Sequence, residues 1–372
     1  METSSARTFF KSLDAGVSFG IPVFLYAKQE LEGRQLFVVA HYPEGSRRTQ
    51  VPIEHGVHSF CWVTDENGGV IGLLGREISE RGELLSLRLI QRIGNTLEFM
   101  PPTMGSFPFS SLSSMVRVQK FGSYLVLVAV DAWRDAPTLA VGMLHSSTLG
   151  LITPLAYVED TLNGGCSNRY WDDVEHQKNT NLTLVRGDFE SCFVQVLNGH
   201  DTLSTFTIDV STGTLDIQYD FTVDQSNIGA HTTAYVKQER TLVTCYAQYS
   251  GGNIYAVLNR IFAAPDTGGV PAASAGPVLL NDSPGVYFRP TLTPTPTGLL
   301  VSWEGNSVYI KEISYLAIPV TGEFTIAGNH PGNAHSLKHA DSYHIGYQNE
   351  CVEPRHVGLR YETTSLGVFK ME

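Results

Sequence analysis

The sequence predicts an all-β protein, folded as one seven-bladed β-propeller of four-stranded antiparallel blades. Short runs of β-branched and aromatic residues recur along the chain, and glycine, proline, asparagine and aspartate separate them. An apolar period of about 3.6 residues, which would predict helices, is almost absent. The runs recur in groups of four, and the group occurs seven times. Four strands repeated at intervals of roughly 50 residues are typical of propeller blades.

The composition indicates one folded, soluble domain. Of the 372 residues, 42% are apolar and 17% are charged, so the chain has enough apolar material for a buried core. The formal net charge of −12 argues against broad contact with nucleic-acid phosphates. The first residues lack the apolar stretch of a secretory signal, and no run of about 18 apolar residues could cross a bilayer. We therefore expect synthesis in the cytoplasm, no nucleic-acid partner and no membrane insertion.

Each repeated group contains two apolar strands joined by a polar turn. A further short strand precedes each pair, and a fourth apolar run follows it. The seven pairs are 22–26 with 36–41, 59–63 with 70–76, 125–130 with 139–145, 192–196 with 204–209, 242–246 with 254–260, 299–303 with 308–312, and 343–347 with 356–360. The corresponding blades of the single domain are 6–50, 51–100, 112–165, 181–224, 233–282, 286–328 and 335–372.

Other all-β architectures fit this pattern less well. A β-sandwich of this size does not need the same four-strand group seven times, and a solenoid has shorter repeats with caps. The interval between groups varies, so a count of six or eight blades is the nearest alternative. Strands near both ends of the chain can begin the first blade and end the last one. We therefore expect the two ends to meet at one seam.

The short strand ahead of each pair carries a charged residue near its middle. Six of these seven residues are basic, namely Lys11, Arg117, Arg186, Lys237, Arg289 and Lys338, and the seventh is Glu54. If these side chains face a central channel, they form a positive ring that could hold a carboxylate or phosphate. Alternatively, they alternate between the channel and the space between blades, or pair locally with Glu54, Asp188, Glu239 and Asp341.

The densest acidic and aromatic cluster lies in the loop 168–176. It contains Tyr170, Trp171, Asp172 and Asp173. An aromatic ring can stack on the face of a sugar, and carboxylates can bind calcium. We interpret this cluster as a candidate binding site on one loop face, with a solvated loop as the alternative.

Motifs for catalysis or metal binding are absent from the sequence. It contains no Walker loop, no HExxH, no GxSxG and no EF-hand loop. Its five cysteines form no CxxC pair, and Cys61, Cys192 and Cys245 fall inside apolar strands, where buried free thiols are expected. We therefore predict no catalytic residue, no metal and no cofactor.

One predicted blade resembles a known family. Residues 286–292, 298–304 and 307–311 are similar to a blade of sialidase-like, carbohydrate-handling β-propellers. The resemblance implies a propeller fold, and a fold does not carry function with it. The chain departs from that family because it has no Ser-x-Asp-x-Gly-x-x-Trp box. It also lacks a WD dipeptide at the ends of the predicted blades and a glycine doublet of the kelch kind.

Three functions follow as hypotheses. The first is a non-catalytic recognition or scaffolding propeller that binds protein or glycan through loops on one face, as a structural component of a larger particle such as a virion or phage tail. The second is a glycoside-processing enzyme or lectin that uses the axial pocket. In the enzyme, Arg117, Arg186 and Arg289 would hold a substrate carboxylate, and Glu54 or Asp188 would act as acid or base. The third is a cytosolic protein-interaction hub.

Overall fold

All regular structure in the described part of the chain is β-strand. The computed structural model describes residues 9–30, 33–52, 56–65, 67–79, 82–106, 115–131, 138–158, 182–188, 190–197, 203–211, 213–223, 228–248, 252–260, 272–282, 285, 288–295, 297–326, 332–339, 342–348, 354–362 and 368–371. No helix occurs among these residues. Accordingly, they include no helix with the length and apolar character needed to cross a membrane.

Five sheets each contain four antiparallel strands in chain order. The first is β1 (Phe9–Ser18), β2 (Ile21–Glu30), β3 (Gly33–Tyr42) and β4 (Gly45–Gln50). Two later sheets are β14 (Leu182–Arg186), β15 (Ser191–Leu197), β16 (Leu203–Asp209) and β17 (Asp216–Val223), and β18 (Ile228–Val236), β19 (Thr241–Gln248), β20 (Ile254–Arg260) and β21 (Ala272–Leu279). The last two are β22 (Phe288–Pro294), β23 (Gly298–Glu304), β24 (Val308–Ser314) and β25 (Phe324–Ile326), and β26 (Gly332–His339), β27 (Ser342–Gln348), β28 (Pro354–Glu362) and β29 (Val368–Met371).

A sixth sheet has nine strands and consists of two antiparallel halves. One half is β5 (Gly56–Thr64), β6 (Val70–Ser79), β7 (Gly82–Ile93), β8 (Thr96–Phe99) and β9 (Thr103–Ser106), and the other is β10 (Met115–Phe121), β11 (Tyr124–Asp131), β12 (Thr138–His145) and β13 (Ala156–Val158). A short parallel pairing joins the halves, with Val118 opposite Val63 and Gln119 opposite Thr64. The Thr64 hydroxyl also donates to Gln119 Oε1 over 3.1 Å.

The sheets stack face to face, and their first strands lie beside one another. Strand β10 contacts β5 and β14, and further contacts join β14 to β18, β18 to β22, and β22 to β26. Strand β1 contacts both β5 and β26, so the first sheet meets the last one. The first strands therefore occupy one common region of the molecule.

The core lies between the stacked sheets, as strand β11 illustrates. Leu125 and Leu127 pack against the preceding half of the nine-stranded sheet, in a cluster that includes Cys61. Val126 and Val128 point the other way and pack with residues of the following β14–β17 sheet. Successive side chains of a strand alternate between its two faces. A strand buried on both faces is apolar at most of its positions, which explains the nearly continuous apolar runs in the sequence.

All seven predicted strand pairs are antiparallel neighbours in the structure. In six sheets or halves they are the second and third strands, as expected. In the second group they are β5 and β6, the first two strands of their half, because only residues 51–55 separate β4 from β5. The strand predicted around Glu54 falls on residues 53–55, which lie outside the described residues, so it stays a prediction. Cys61, Cys192 and Cys245 are buried free thiols, as expected.

Candidate functional site

The six basic residues predicted for the channel lie in or next to the first strands. Lys11 is in β1, Arg117 in β10, Arg186 at the end of β14, Arg289 in β22 and Lys338 in β26, and Lys237 follows the last residue of β18. The structure describes the side chains of Arg117, Arg186 and Lys237. The side chains of Lys11, Arg289 and Lys338 lie outside the described part of the chain.

Arg117 lies half-buried in β10, and its electrostatic neighbours come from two other first strands. They are Asp14 of β1 and Cys61 of β5. One guanidinium nitrogen, Nη1, donates to the carbonyl oxygen of Val116 over 2.7 Å. Burial lowers the pKa of Arg117, and the nearby Cys61 and Asp14 act in the opposite direction. This site therefore contains an acidic partner for Arg117, in addition to its positive charge.

Asp14 is the acidic group of this region that the sequence patterns did not single out. It follows a β-bulge between Ser12 and Asp14, and its Oδ1 accepts the amide N–H of Ala15 over 2.8 Å. Burial raises the pKa of Asp14 from 3.8 to about 6, although Arg117 and the amide donors of Ala15 and Trp62 lower it. Desolvation of the carboxylate thus outweighs the positive charge beside it.

Arg186 bridges two neighbouring sheets. Its guanidinium carbon lies 4.4 Å from the centroid of the Phe121 ring, and Nη1 donates to the Lys120 carbonyl oxygen over 3.2 Å. Phe121 in turn stacks on Tyr124, with the ring centroids 6.1 Å apart. A cation over an aromatic face is worth about 0.5–2 kcal/mol, depending on its desolvation. Arg186 therefore connects β14, the first strand of the β14–β17 sheet, to the end of β10.

Lys237 belongs to a charged cluster in two adjacent turns. The hydroxyl of Tyr235 donates to Asp188 Oδ2 over 2.6 Å. Lys237 Nζ lies 3.7 Å from Asp188 Oδ1, and Arg240 Nε lies 3.8 Å from Oδ2. The Lys237 side chain is 79% exposed, whereas that of Asp188 is 17% exposed. Burial raises the pKa of Tyr235, and the hydrogen bond to Asp188 adds to this effect.

Each of the three described basic side chains has a different set of neighbours. Arg117 faces β1 and β5, Arg186 reaches toward β10, and Lys237 lies in an exposed turn beside Asp188. The local pairing of Lys237 with Asp188 matches the alternative interpretation of the sequence for that residue. The complete positive ring includes three side chains outside the described part, so it stays a prediction.

The residues predicted for the loop face lie in the connection between β13 and β14. Tyr170, Trp171, Asp172 and Asp173 fall within residues 159–181, which are outside the described part of the chain. Among the residues that are described, no group of three or more His, Cys, Asp or Glu side chains could hold a metal ion. The expectation of no metal and no cofactor therefore stays a prediction.

The sequence analysis also did not identify a buried polar network between the β14–β17 and β18–β21 sheets. Gln195 Oε1 accepts the hydroxyls of Thr233 and of Thr244, the latter over 3.0 Å, and Gln195 Nε2 donates to Thr205 over 3.1 Å. His231 Nε2 lies 3.4 Å from the Thr183 hydroxyl. The sequence signal that could have identified this network is the presence of polar residues within otherwise apolar strands. Their mutual hydrogen bonds compensate for the loss of water, as buried polar groups require.

Lys311 of β24 connects the β22–β25 sheet to the preceding β18–β21 sheet. Its Nζ donates to the carbonyl oxygen of Leu280 and, over 2.6 Å, to Asp282 Oδ1. This hydrogen bond holds the pKa of Asp282 below its usual range. The backbone amides of Asp282 and Glu323 each donate to the other residue's carboxylate over 3.0 Å. Lys311 is only 4% exposed and ties β24 to the segment that follows β21.

Comparison with known proteins identifies the fold and leaves the function open. No protein-family model matches the chain, and no curated protein matches it. The β-propeller domain of the Trilobed protease from Pyrococcus furiosus is 6% identical, with a TM-score of 0.51 over 94% of this chain and 93% of that chain. A hypothetical selenium-binding protein from Sulfolobus tokodaii is 10% identical, with a TM-score of 0.56 over 99% of this chain and 90% of that chain.

Identities this low carry the fold alone. The sialidase-like resemblance and the count of seven blades stay predictions. The sheets and the structural relatives agree on one conclusion: the chain is an all-β protein with a β-propeller fold.

Proposed function

We propose that the chain is a non-catalytic recognition or scaffolding propeller of seven blades, which binds a protein or a glycan through the loops of one face. We propose further that it is a structural component of a larger particle, such as a virion or a phage tail. Three observations support the proposal. They are the arrangement of the first strands, the length of one connection, and charged side chains that connect neighbouring sheets.

The contacts between first strands support the count of seven. They run from β1 through β5, β10, β14, β18, β22 and β26, and strand β26 contacts β1 again. The nine-stranded sheet counts as two blades because a pairing of only two residues in each strand joins its halves. On this count, seven antiparallel units surround one axis.

The connection between β13 and β14 carries the functional proposal. It spans residues 159–181, whereas the other connections from one unit to the next span 51–55, 107–114, 224–227, 280–287 and 327–331. Connections longer than about 12–15 residues are uncommon in compact domains and are often functional. The long connection contains Tyr170, Trp171, Asp172 and Asp173. Rigid aromatic rings beside carboxylates suit the faces and hydroxyls of sugars, and they also suit protein surfaces.

The charged side chains with described contacts support a scaffolding role. Arg186 and Lys311 connect neighbouring sheets, and Asp188 accepts the Tyr235 hydroxyl between two turns. Glu312 Oε1 accepts the hydroxyls of Thr295 over 2.8 Å and Thr297 over 2.7 Å, which fixes the turn between β22 and β23. Groups held in this way stiffen the sheets that present the loops.

A glycan microarray probed with the purified full chain tests the proposal. The double variant Y170A/W171A should lose the binding that the wild type shows, because it lacks both stacking rings. The control F19A removes another aromatic ring, 53% exposed in the turn between β1 and β2, and should bind as the wild type does. Equal binding by all three proteins would exclude the long connection as the site. Absence of binding by the wild type would refute the glycan branch of the proposal.

An activity assay distinguishes the alternative function. A fluorogenic sialoside serves as the probe because a sugar acid is the substrate that the axial arginines would hold. We expect no turnover above buffer. Turnover that disappears in R117M would overturn the non-catalytic proposal in favour of the axial enzyme.

A further inference from the structure

The first and last sheets meet without sharing a strand. Strands β1–β4 form one ladder and β26–β29 form another, and the described strands show no hydrogen-bonded pairing between the two sheets. Contacts nevertheless join β1 to β26, β27 and β28, and β2 to β26. Side-chain packing therefore holds this seam together.

The packing at the seam is tight and centres on Gly346 of β27. A Cβ atom at this position would lie 2.5 Å from Phe24 Cδ1 and 2.7 Å from the hydroxyl oxygen of Tyr26. Phe24 and Tyr26 are buried in β2. The backbone of β27 thus rests directly on two aromatic rings of the first sheet, and a small separation would lose these contacts.

His41 lies at this seam, and a histidine of the last sheet acts on it electrostatically. His41 of β3 contacts Phe24 edge to face, with the ring centroids 5.2 Å apart, and its Nδ1 lies 2.6 Å from the Ser46 hydroxyl. Its electrostatic neighbour from the last sheet is His344, which lies two residues before Gly346 on β27. Burial and, secondarily, His344 lower the pKa of His41 from 6.5 to about 4.

The first sheet and its turns hold four other charged side chains with described contacts, which are Asp14, beside Arg117, and Glu44, Arg47 and Arg48. Strand β4 contributes Arg48, which acts electrostatically on Tyr26, and Arg47, whose Nη2 lies 3.7 Å from Glu44 Oε1. The pair of Arg47 and Glu44 is exposed, so salt and water screen it. Protonation of His41 therefore adds a positive charge to the sheet that also carries Arg47 and Arg48.

We propose that the contact between the first and last sheets is an acid-sensitive joint, in which protonation of His41 separates β2 and β3 from β27 while each sheet stays intact. The joint needs no strand to be withdrawn, because none is shared among the described strands. It goes beyond the proposed binding function and does not depend on it.

The direction and size of the effect follow from proton linkage. The separated state regains the ordinary affinity of His41 for protons, so it binds protons more strongly than the closed state between pH 6.5 and about 4. Acidification therefore favours separation. For His41 alone, the population of the separated state should rise about 70-fold between pH about 7.5 and pH about 4.5.

Hydrogen exchange of the full chain, followed by mass spectrometry and corrected for intrinsic exchange rates, tests this joint. Peptides that cover β2 and β27 should lose up to about 70-fold protection on acidification. Peptides that cover β11 and β15, inside other sheets, serve as the internal control and should change much less. In the double variant H41Q/H344Q the extra loss at the seam should disappear.

Equal loss of protection in the seam and control peptides would overturn the proposal, because it would indicate global unfolding. Persistence of the seam-specific loss in H41Q/H344Q would also overturn it, because another group would then be responsible. The single variant H344Q alters a half-buried residue and keeps the test available if the double variant does not fold. H344Q should reduce the seam-specific loss, and an unchanged loss would count against the histidine pair.

Discussion

Replacing Asp14 by asparagine should stabilise the protein at neutral pH and leave its stability unchanged in acid. The pKa of Asp14 is about 6 in the folded protein and 3.8 ordinarily, so the folded state holds this proton more tightly than the unfolded state. The contribution of Asp14 to stability therefore falls as the pH rises from 3.8 to about 6 and levels off above that range. The difference corresponds to roughly 3 kcal/mol at about 1.4 kcal/mol per pH unit, as an upper bound.

The variant D14N avoids this cost because its amide resembles the protonated acid in shape. Its Oδ1 can still accept the Ala15 amide hydrogen that Asp14 accepts now. Urea unfolding followed by tryptophan fluorescence should give D14N a higher free energy of unfolding at pH about 8, by roughly 1–3 kcal/mol. The two proteins should agree to within about 0.6 kcal/mol at pH about 4, and more closely below that pH. The titration of His41 acts in the same range but is common to both proteins, so it cancels in the difference.

The control for this comparison is D216N, at an exposed position at the start of β17. Its free energy of unfolding should stay within about 0.5 kcal/mol of the wild type at both pH values. If D14N were less stable than the wild type at pH about 8 and not at pH about 4, the reasoning would be wrong. The attraction of ionised Asp14 to Arg117 would then outweigh its desolvation.

Three further changes should have measurable effects on the free energy of unfolding. G346A should cost about 1–3 kcal/mol because its methyl group collides with Phe24, whereas the control G322A, with no atom within 4 Å of the added carbon, should be nearly neutral. F19N should stabilise the turn before Gly20 by about 0.5–1 kcal/mol, because φ is 48° at Phe19 and asparagine tolerates that region; a loss of stability would contradict the turn geometry. K311M should cost about 1–3 kcal/mol by removing the donor of the buried Leu280 carbonyl, and the exposed control K237M should change stability by less than about 0.5 kcal/mol.

The sequence predicted the strand pairs well because two independent signals agree. The run from Leu125 to Val130 is apolar at every position, since its two faces pack against different sheets. Glycine and polar residues then mark the turns, as Gly122 does with its φ of 55°. In the second group the strand predicted around Glu54 falls outside the described residues and stays a prediction.

The directions of the basic side chains could not be predicted from their spacing. A strand alternates its side chains regularly only when its register is unbroken, and a β-bulge reverses the alternation beyond it. Register shifts occur in β1 after Ser12, in β18 after Ile228, in β22 after Phe288 and in β26 after Gly332. Nothing in the sequence around these residues marks the extra residue. For the same reason the burial of Asp14 could not be predicted, because in the sequence Asp14 is one polar residue near a turn.

The assembly of each sheet from consecutive strands also shapes how the chain can fold. Hairpin contacts close short loops, which costs little chain entropy, and so each sheet can form early and locally. The contact of β1 with β26 spans almost the whole described chain and can form only after the last sheet exists. Folding on the ribosome should therefore proceed sheet by sheet, and the joining of the first sheet to the last should be its final and slowest step.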